Sequence, residues 1–187
     1  MGGVEPARTL LLAAIEAGKP VVTANKELLA TSGAELFAAG EAAGVDVLFE
    51  AAVGGGIPIV RPLRESLLGE PITRIMGIVN GTTNYILTKM TEDGADFDDA
   101  LADAQQLGYA EADPSADVDG HDAAAKCAIL ASIAFGVDVR AGDVATEGIV
   151  GISTSDIAFA HRRGHVIKLL AVTELVAGGP AVSARVQ

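Results

Sequence analysis

Acidic residues and one lysine are concentrated between Leu107 and Lys126, where the sequence reads LGYAEADPSADVDGHDAAAK. Four carboxylates precede Gly120 and form an acidic loop: Glu111, Asp113, Asp117 and Asp119. Asp122 and Lys126 follow in a predicted helix, where a spacing of four residues places both side chains on one face. A carboxylate beside an ammonium group, next to an acidic loop, suits a small substrate that carries an amine and a hydroxyl.

Each part of this segment also has an interpretation without function. The Asp122–Lys126 pair could be a solvated surface pair, which would contribute only about 0.3–0.5 kcal/mol. The rest of the predicted helix is almost wholly apolar, however, and a lone ion pair on such a helix favours a pocket or a partner. The acidic loop could be an ordinary surface loop. It is not an EF-hand, because Val118 and Ala124 occupy the positions that require glycine and glutamate.

Two further polar clusters lie where predicted strands end. Lys26, in the run TANK, follows the apolar run PVVTA at the carboxyl end of a strand, where α/β sheets bind ligands. Asn25 could instead cap the next helix, although a lysine in the first turn opposes the helix dipole. The run Asn80–Asn84 (NGTTN) also ends a strand and begins a helix. N-capping explains one or two of its residues, and so many polar residues in a row favour ligand contacts.

The glycine turn Gly54–Gly56, which follows Glu50, invites a phosphate-binding interpretation. No Lys-Ser/Thr pair follows it, and Ile59 occupies the position of the third glycine of a dinucleotide fingerprint. A structural turn therefore remains one alternative. The other is a site where backbone carbonyls approach a ligand or ion, with Glu50 as an anionic ligand. His161 and His165 show no metal-site spacing and are expected on a surface helix.

The elements that position these residues begin with an α/β pattern. Helix and strand alternate over the first part of the chain, at Pro6–Ala17, Pro20–Ala24, Glu27–Ala43 and Val45–Phe49. Such alternation predicts a unit with a parallel sheet. The remaining expected helices run from the glycine turn to about Leu68 and over Tyr85–Met90, Phe97–Leu107 and His121–Phe135. The remaining expected strands are Ile72–Val79, Ile167–Thr173 and Val182–Val186. No strand is predicted before Pro6, and the chain stops at Gln187 in the middle of the strand-like pattern that begins at Ala181. We therefore expect the chain to be truncated at both ends.

The composition limits the class of function. The chain has 187 residues, enough for one domain and part of another, and 50% of them are hydrophobic, which excludes general disorder. The net charge of −12 argues against nucleic acid as a partner, because nucleic-acid affinity depends on Lys and Arg contacts to phosphates. Cys127 is the only cysteine of the chain, so it can form no internal disulfide. The apolar run CAILASIAFGV, in which it lies, is too short to span a bilayer. The N-terminus has no signal-peptide pattern. We therefore expect a cytoplasmic protein without a membrane partner.

In this order, the motifs TANK, E-AAVGGGIP, GIVNGTTNYI, LGYAEADPSADVDGHDAAAK and EGI resemble the homoserine dehydrogenase family, from about Gly2 to Ala171. The resemblance implies an oxidoreductase that interconverts aspartate 4-semialdehyde and homoserine with NAD(P)H, on the route to threonine, methionine and isoleucine. It implies an α/β fold in which residues 1–46 are the remnant of a Rossmann-type parallel sheet. Residues 47–187 would form an α+β catalytic domain, a mixed sheet covered by helices. Members of the family usually form homodimers through this domain.

The resemblance also implies roles for individual residues. Lys126 would exchange a proton with the substrate oxygen, Asp122 would position the reacting group, and Lys26 would lie between cofactor and substrate. The substrate, its amine included, would contact Glu111, Asp117, Gly81, Thr82 and Tyr109. The cofactor, NADP or NAD, would contact Asn25, Lys26, Glu147 and Gly148. A monovalent cation such as Na⁺ would be bound by Glu50 and the carbonyls of Val53, Gly55 and Ile57.

The chain departs from the family pattern at both ends. The glycine-rich segment that takes the pyrophosphate, and the residues that distinguish NADP from NAD, are expected upstream of the chain. The segment that completes the nucleotide-binding domain is expected downstream. The substrate site therefore lies in the chain, whereas cofactor binding by the chain alone is an open question. The alternative hypothesis is a truncated, non-catalytic module for dimerisation or amino-acid binding.

Overall fold

The computed structural model describes residues 3–177 and 181–187, which form two sheets with helices packed against them. A two-stranded parallel sheet lies in the first part of the chain, and a four-stranded mixed sheet lies in the second. This confirms the predicted fold class. No helix in the described part of the chain is long and apolar enough to cross a membrane.

The first part is one α/β unit preceded by a helix. Strands β1 (Val21–Val22) and β2 (Val47–Leu48) pair in parallel, and helix α2 (Lys26–Ala43) connects them. Helix α1 (Ala7–Glu16) precedes β1 and packs against α2. A helical crossover is the connection that parallel neighbours require. β1 is not the fully buried strand that the run PVVTA predicts, because its second residue is 79% exposed.

Helix α2 begins and ends where the sequence provides caps. The Oδ1 atom of Asn25 accepts a hydrogen bond of 3.0 Å from the backbone N–H of Leu28, which satisfies a free donor of the first turn. Gly44 ends the helix in the left-handed conformation, at φ 64°, which glycine adopts without strain. The N-terminal cap fixes the position of Lys26, the first residue of the helix.

The second sheet combines antiparallel and parallel pairs. Its strands are β3 (Arg74–Gly77), β4 (Ala145–Thr146), β5 (Ala171–Leu175) and β6 (Val182–Val186). Their order across the sheet is β3-β5-β6-β4. β5 pairs antiparallel with both β3 and β6, whereas β6 pairs in parallel with β4. The sheet is therefore mixed, as predicted.

One helix connects the two parts of the molecule. The helices of the second part are α3 (Gly81–Glu92), α4 (Phe97–Gln106), α5 (Ser115–Val118), α6 (His121–Phe135) and α7 (Thr154–Arg162). α6 packs against β5 and β6 and also against α2. Because α6 carries Asp122 and Lys126, the contact with α2 brings this pair close to Lys26.

Small side chains allow α6 to lie close to its neighbours. Ala124, Ala128 and Ala131 are buried together with the larger Ile129. Cys127 is also buried, with its Sγ atom 3.7 Å from the carbonyl oxygen of a β5 residue, and burial raises the pKa of its thiol. A buried thiol of raised pKa is a packing group rather than a nucleophile.

The start of α3 differs from the prediction. The sequence predicts this helix from Tyr85, after the polar run NGTTN in which the preceding strand ends. It begins at Gly81, because the side chain of Asn80 accepts a hydrogen bond from the backbone N–H of Thr83 at 2.8 Å and caps the first turn. Most of the polar run NGTTN is therefore helical.

Two further elements differ from their predicted form. The strand expected at Ile167–Thr173 begins later, at Ala171, and continues to Leu175, because its neighbours β3 and β6 pair only with residues of this stretch. The helix expected up to Leu68 is a short π-helical segment, Pro62–Ser66. Its hydrogen bond from the N–H of Leu67 to the carbonyl of Pro62 spans five residues, which is the π-helical spacing.

Candidate active site

Helix α6 carries Asp122 and Lys126 in its first two turns. Gly120 precedes the helix in the left-handed conformation, at φ 85°, which other residues adopt only with strain. The Nζ atom of Lys126 donates one hydrogen bond of 2.7 Å to Oδ2 of Asp122 and another of 2.7 Å to the carbonyl of Val79. The side chain of Lys126 is only 17% exposed and that of Asp122 only 9%. The predicted ion pair therefore exists, and it is not a solvated surface pair.

Lys26 reaches the same carboxylate from the first part of the chain. Its Nζ atom lies 3.0 Å from Oδ1 of Asp122, so that two lysines share one carboxylate. Burial alone would raise the pKa of Asp122, but hydrogen bonds from Lys126 and Asn80 and the charge of Lys126 outweigh it and hold this pKa below its usual value. Asp122 is therefore ionised at neutral pH and holds both ammonium groups.

Asn80 connects this carboxylate to the acidic loop. Its Nδ2 atom donates hydrogen bonds to Oδ2 of Asp122 at 2.9 Å and to Oδ1 of Asp117 at 2.6 Å. Asp117 lies in the short helix α5, and Asn80 itself is only 5% exposed. The start of α3, α5 and the start of α6 thus meet at one buried amide.

The other predicted substrate residues lie beside this network. Gly81 is the first residue of α3, and the Oγ1 atom of Thr82 donates a hydrogen bond of 2.7 Å to the carbonyl of Tyr109. The ring of Tyr109 packs against that of Tyr85 at a centroid distance of 4.9 Å and is otherwise exposed. Glu111 is exposed in the acidic loop. The hydrogen bond from Thr82 therefore connects Tyr109, which precedes the acidic loop, to the start of α3.

A cleft of about 850 Å³ lies next to Lys26 and Asp122, at the carboxyl end of β1, and Lys126 is not among the residues that line it. Asn25 and Lys26 line it from α2 and the residue before it, and His121 and Asp122 line it from α6. The volume falls within the range of small-molecule and cofactor sites, about 300–1,000 Å³. Two of the four predicted cofactor residues therefore lie in a cleft of suitable size.

The other two predicted cofactor residues, Glu147 and Gly148, lie after β4 and are not among the residues that line this cleft. The backbone N–H of Ile149 donates a hydrogen bond of 2.8 Å to the carbonyl of Val118. A Cβ atom at Gly148 would clash with the same carbonyl oxygen. The loop thus packs directly against the turn between α5 and α6, which leads to Asp122.

The predicted cation ligands lie around the glycine turn. Both carboxylate oxygens of Glu50 already accept backbone N–H groups, from Ile59 at 2.8 Å, Val60 at 3.0 Å and Arg61 at 2.7 Å. This carboxylate therefore holds the glycine turn against the segment that follows it. Among the described residues, no group of three or more His, Cys, Asp or Glu side chains could hold a metal ion. Carbonyls would have to supply most ligands, and an all-oxygen set suits a hard cation.

With this geometry established, similarity to known proteins identifies the family. The family model of homoserine dehydrogenase matches residues 58–187, which is more than half of the chain. The chain belongs to the homoserine dehydrogenase family. A second model, the homoserine dehydrogenase NAD binding domain, matches residues 1–50. The family membership that the sequence motifs predict is thereby confirmed.

Homoserine dehydrogenases of known sequence and structure resemble the chain closely. The one from Synechocystis sp. is 62% identical over 178 residues, 95% of this chain and 41% of that protein. The crystal structure of the one from Thiobacillus denitrificans matches with a TM-score of 0.95 and 50% identity, over 100% of this chain and 43% of that one. A hyperthermophilic archaeal homoserine dehydrogenase in complex with NADPH matches with a TM-score of 0.81 and 33% identity, over 97% of this chain and 52% of that one. The chain spans about two fifths of the length of the curated relatives that it matches.

Sequence reasoning missed one residue of the network around Asp122. Asn80 was recognised only as part of the polar run NGTTN and was not placed among the site residues. The sequence feature that could have identified Asn80 is its position at the end of a strand and before a helix. Local reasoning attributes an asparagine at such a position to N-capping. The cap is present, but the other end of the same amide contacts Asp117 and Asp122, far away in sequence.

Proposed function

We propose that the chain forms the catalytic part of a homoserine dehydrogenase, which interconverts aspartate 4-semialdehyde and homoserine in the biosynthesis of threonine, methionine and isoleucine. Family membership supports the reaction class. The observation that carries the proposal for this chain is the contact of both Lys26 and Lys126 with Asp122, where Lys26 and Asp122 also line the cleft at the carboxyl end of β1. Ammonium groups held next to a cleft are what the reduction of a carbonyl requires.

Lys126 has the hydrogen-bonding capacity for the proton transfer. A lysine ammonium has three N–H donors, and within the described residues Asp122 and the carbonyl of Val79 accept two of them. The third donor is available to the aldehyde oxygen, on which negative charge develops during reduction. Lys126 stabilises this charge and protonates the oxygen, and in the reverse direction it accepts the proton of the homoserine hydroxyl.

Asp122 and Lys26 prepare the site for this step. Asp122 accepts from Lys126 through Oδ2 and from Lys26 through Oδ1, so the carboxylate fixes both ammonium groups. Lys26 is 43% exposed and lines the cleft, whereas Lys126 is largely buried. This difference in exposure supports a role for Lys26 between cofactor and substrate and a role for Lys126 at the substrate oxygen.

The acidic loop provides for the substrate amine. One carboxylate oxygen of Asp117 accepts a hydrogen bond from Asn80, and no donor among the described residues contacts its other oxygen. Glu111 adds a second carboxylate in the same loop. We assign the amine to these two residues, with Gly81, Thr82 and Tyr109 beside them.

NAD(P), when bound, supplies the hydride. The cleft lined by Asn25 and Lys26 supports binding of its nicotinamide end, and the NADPH complex of the archaeal relative supports this class of cofactor. Glu147 and Gly148 remain proposed cofactor contacts. The all-oxygen set of Glu50 with the carbonyls of Val53, Gly55 and Ile57 remains a proposed site for Na⁺.

We also propose that the enzyme acts as a homodimer in the cytoplasm. Family analogy gives this assignment, and one feature of the mixed sheet supports it. Met76 on β3 and Leu175 on β5 are 55% and 41% exposed, so apolar side chains of the sheet remain uncovered in a single copy. Sedimentation of the protein at several concentrations tests the dimer.

The function is tested by homoserine-dependent reduction of NADP, followed by the absorbance of the reduced nicotinamide. The assay uses the chain alone and the chain in place of the matching residues of the Synechocystis enzyme. Lys126→Ala is expected to lower turnover about 10²–10⁴-fold in whichever form is active, because general acid–base catalysis contributes about this much. The control is Lys89→Ala, which removes a half-buried α3 lysine that pairs with Asp93 and Asp103 and does not line the cleft. Normal turnover in the Lys126→Ala variant would contradict the proposal.

The alternative, a non-catalytic amino-acid-binding or dimerisation module, predicts a different pattern. Homoserine or a partner copy would bind, but neither the chain nor the hybrid enzyme would turn over substrate. The intact set of Lys126, Asp122 and Lys26 favours the enzyme, because a module that only binds has no use for a buried lysine with a spare donor.

A further inference from the structure

The amide of Asn80 has one possible orientation. The backbone N–H and the hydroxyl of Thr83 lie 2.8 and 2.9 Å from one end of the amide, and a backbone N–H can only donate. That end is therefore the oxygen, Oδ1. The other end must be the NH₂ group, and it donates to one carboxylate oxygen of Asp117 and one of Asp122. All hydrogen-bonding positions of this buried amide are thus used.

This NH₂ group lies between two like charges. One carboxylate oxygen of Asp117 and one of Asp122 lie 2.6 and 2.9 Å from the same nitrogen of Asn80. Two carboxylates that approach one atom so closely repel each other unless a hydrogen-bond donor lies between them. The lysines do not provide this separation, because Lys26 and Lys126 contact Asp122 but not Asp117 in the described residues. The amide hydrogens of Asn80 fill this role.

Helix capping alone does not require asparagine here. Serine, threonine and aspartate cap helices about as well, because a cap needs only a side-chain oxygen. None of these three carries an NH₂ group. Asparagine is the common capping residue that can accept from the first turn of α3 and donate to two carboxylates at the same time.

We propose that Asn80 is a positioning residue of the homoserine site, whose amide holds the carboxylates of Asp117 and Asp122 in one fixed arrangement. Asp117 lies in the acidic loop that binds the substrate amine, and Asp122 holds the lysine that acts on the substrate oxygen. Asn80 therefore sets the distance between the two ends of the substrate. This inference rests on the proposed function, because that function gives both carboxylates their roles.

Two variants separate the donor from the cap. Asn80→Ser and Asn80→Asp keep an oxygen for the first turn of α3 but lose the NH₂ group, and the aspartate adds a third negative charge. Asp96→Ala is the control, because it removes a cap of the same kind from the start of the exposed helix α4, where the Asp96 carboxylate accepts the N–H of Asp99 at 2.9 Å.

Two measurements use the folded chain and need no turnover. Carbon NMR of labelled aspartate carboxyls reports the titration of Asp122, and calorimetry reports homoserine affinity. In Asn80→Ser we expect the pKa of Asp122 to rise toward its ordinary value, because a hydrogen bond to its charged form is lost. We expect homoserine to bind about 10-fold more weakly, as for loss of a hydrogen bond to a charged group, and still more weakly in Asn80→Asp. Asp96→Ala should change neither quantity.

The outcomes distinguish this inference from the proposed function. An unchanged Asp122 titration in both Asn80 variants would overturn the inference, even if they were less stable, because Asn80 would then act only as a cap. Unchanged homoserine affinity in both would also overturn it. Failure of the unmodified chain to bind homoserine at all would count against the proposed function, while the titration of Asp122 would still decide whether Asn80 holds this carboxylate.

Discussion

Gly148 offers the sharpest structural prediction, because a single added carbon at this position meets only backbone. Alanine there would place its Cβ atom against the carbonyl oxygen of Val118 and 2.7 Å from Cα of Asp119, closer than van der Waals contact in both cases. Real Cβ atoms do not approach other atoms so closely, and a backbone neighbour cannot rotate away as a flexible side chain can. The loop after β4 and the turn between α5 and α6 must therefore move apart in Gly148→Ala.

The cost of this movement follows from two contributions. Overpacking of a tight contact costs about 1–3 kcal/mol. Separation also stretches the hydrogen bond of 2.8 Å from the N–H of Ile149 to the carbonyl of Val118, and losing a buried backbone hydrogen bond costs about 1–3 kcal/mol. The free energy of unfolding should therefore fall by about 3 kcal/mol. Because the displaced turn leads to Asp122, homoserine affinity should fall too.

Urea unfolding followed by circular dichroism measures this loss, with Gly151→Ala as a matched control. A Cβ atom at Gly151 meets nothing within 4 Å, so this variant should remain within about 0.5 kcal/mol of the unmodified chain. Equal unfolding free energies for Gly148→Ala and Gly151→Ala would refute the reasoning. Gly148 would then have no packing role, and its proposed contact with the cofactor would be the remaining explanation for a glycine.

Two predictions concern the charged groups. In Asp122→Asn, two lysines lose their ionised partner, and the free energy of unfolding should fall by about 1–3 kcal/mol at neutral pH. The folded pKa of Asp122 is depressed, so its stabilising effect is complete above the ordinary carboxyl pKa and is lost as the pH falls below about 4. Urea titrations at several pH values should show the gap between variant and parent closing in that range, and a gap independent of pH would contradict the assignment. If Na⁺ binds at Glu50, the melting temperature should rise with NaCl relative to choline chloride at equal ionic strength, and this dependence should vanish in Glu50→Gln. Identical melting curves in the two salts would exclude the site.

The ion-pair network was predictable where the rules are local. The spacing of Asp122 and Lys126 decides their common helix face without knowledge of the rest of the fold. Lys26 was predictable because the carboxyl end of a parallel strand is where α/β sheets place ligand contacts. The contact between Lys26 and Asp122 itself was not predictable from either rule, since it depends on the packing of α2 against α6.

The remaining features depend on distant residues. The extent of β5 is fixed by its pairing with β3, which lies far upstream, and with β6, rather than by the apolar run that begins at Ile167. β4 has only two residues, both exposed, and gains its place in the sheet from parallel pairing with β6. The start of α3 and the role of Asn80 have the same origin. Local propensity disfavours a helix at Gly81, but a capped first turn and two remote carboxylates stabilise it.

The site depends on both segments that the family models match separately. Lys26 lies in residues 1–50, whereas Asp122 and Lys126 lie in residues 58–187. The 3.0 Å contact between Lys26 and Asp122 therefore exists only while α2 stays packed against α6. An ion pair of which one member is 43% exposed adds little stability by itself, because water screens it. Its importance lies in geometry: any substitution that shifts α2 relative to α6 moves one ammonium group away from the carboxylate that holds the other. Such substitutions should lower turnover more than they lower stability.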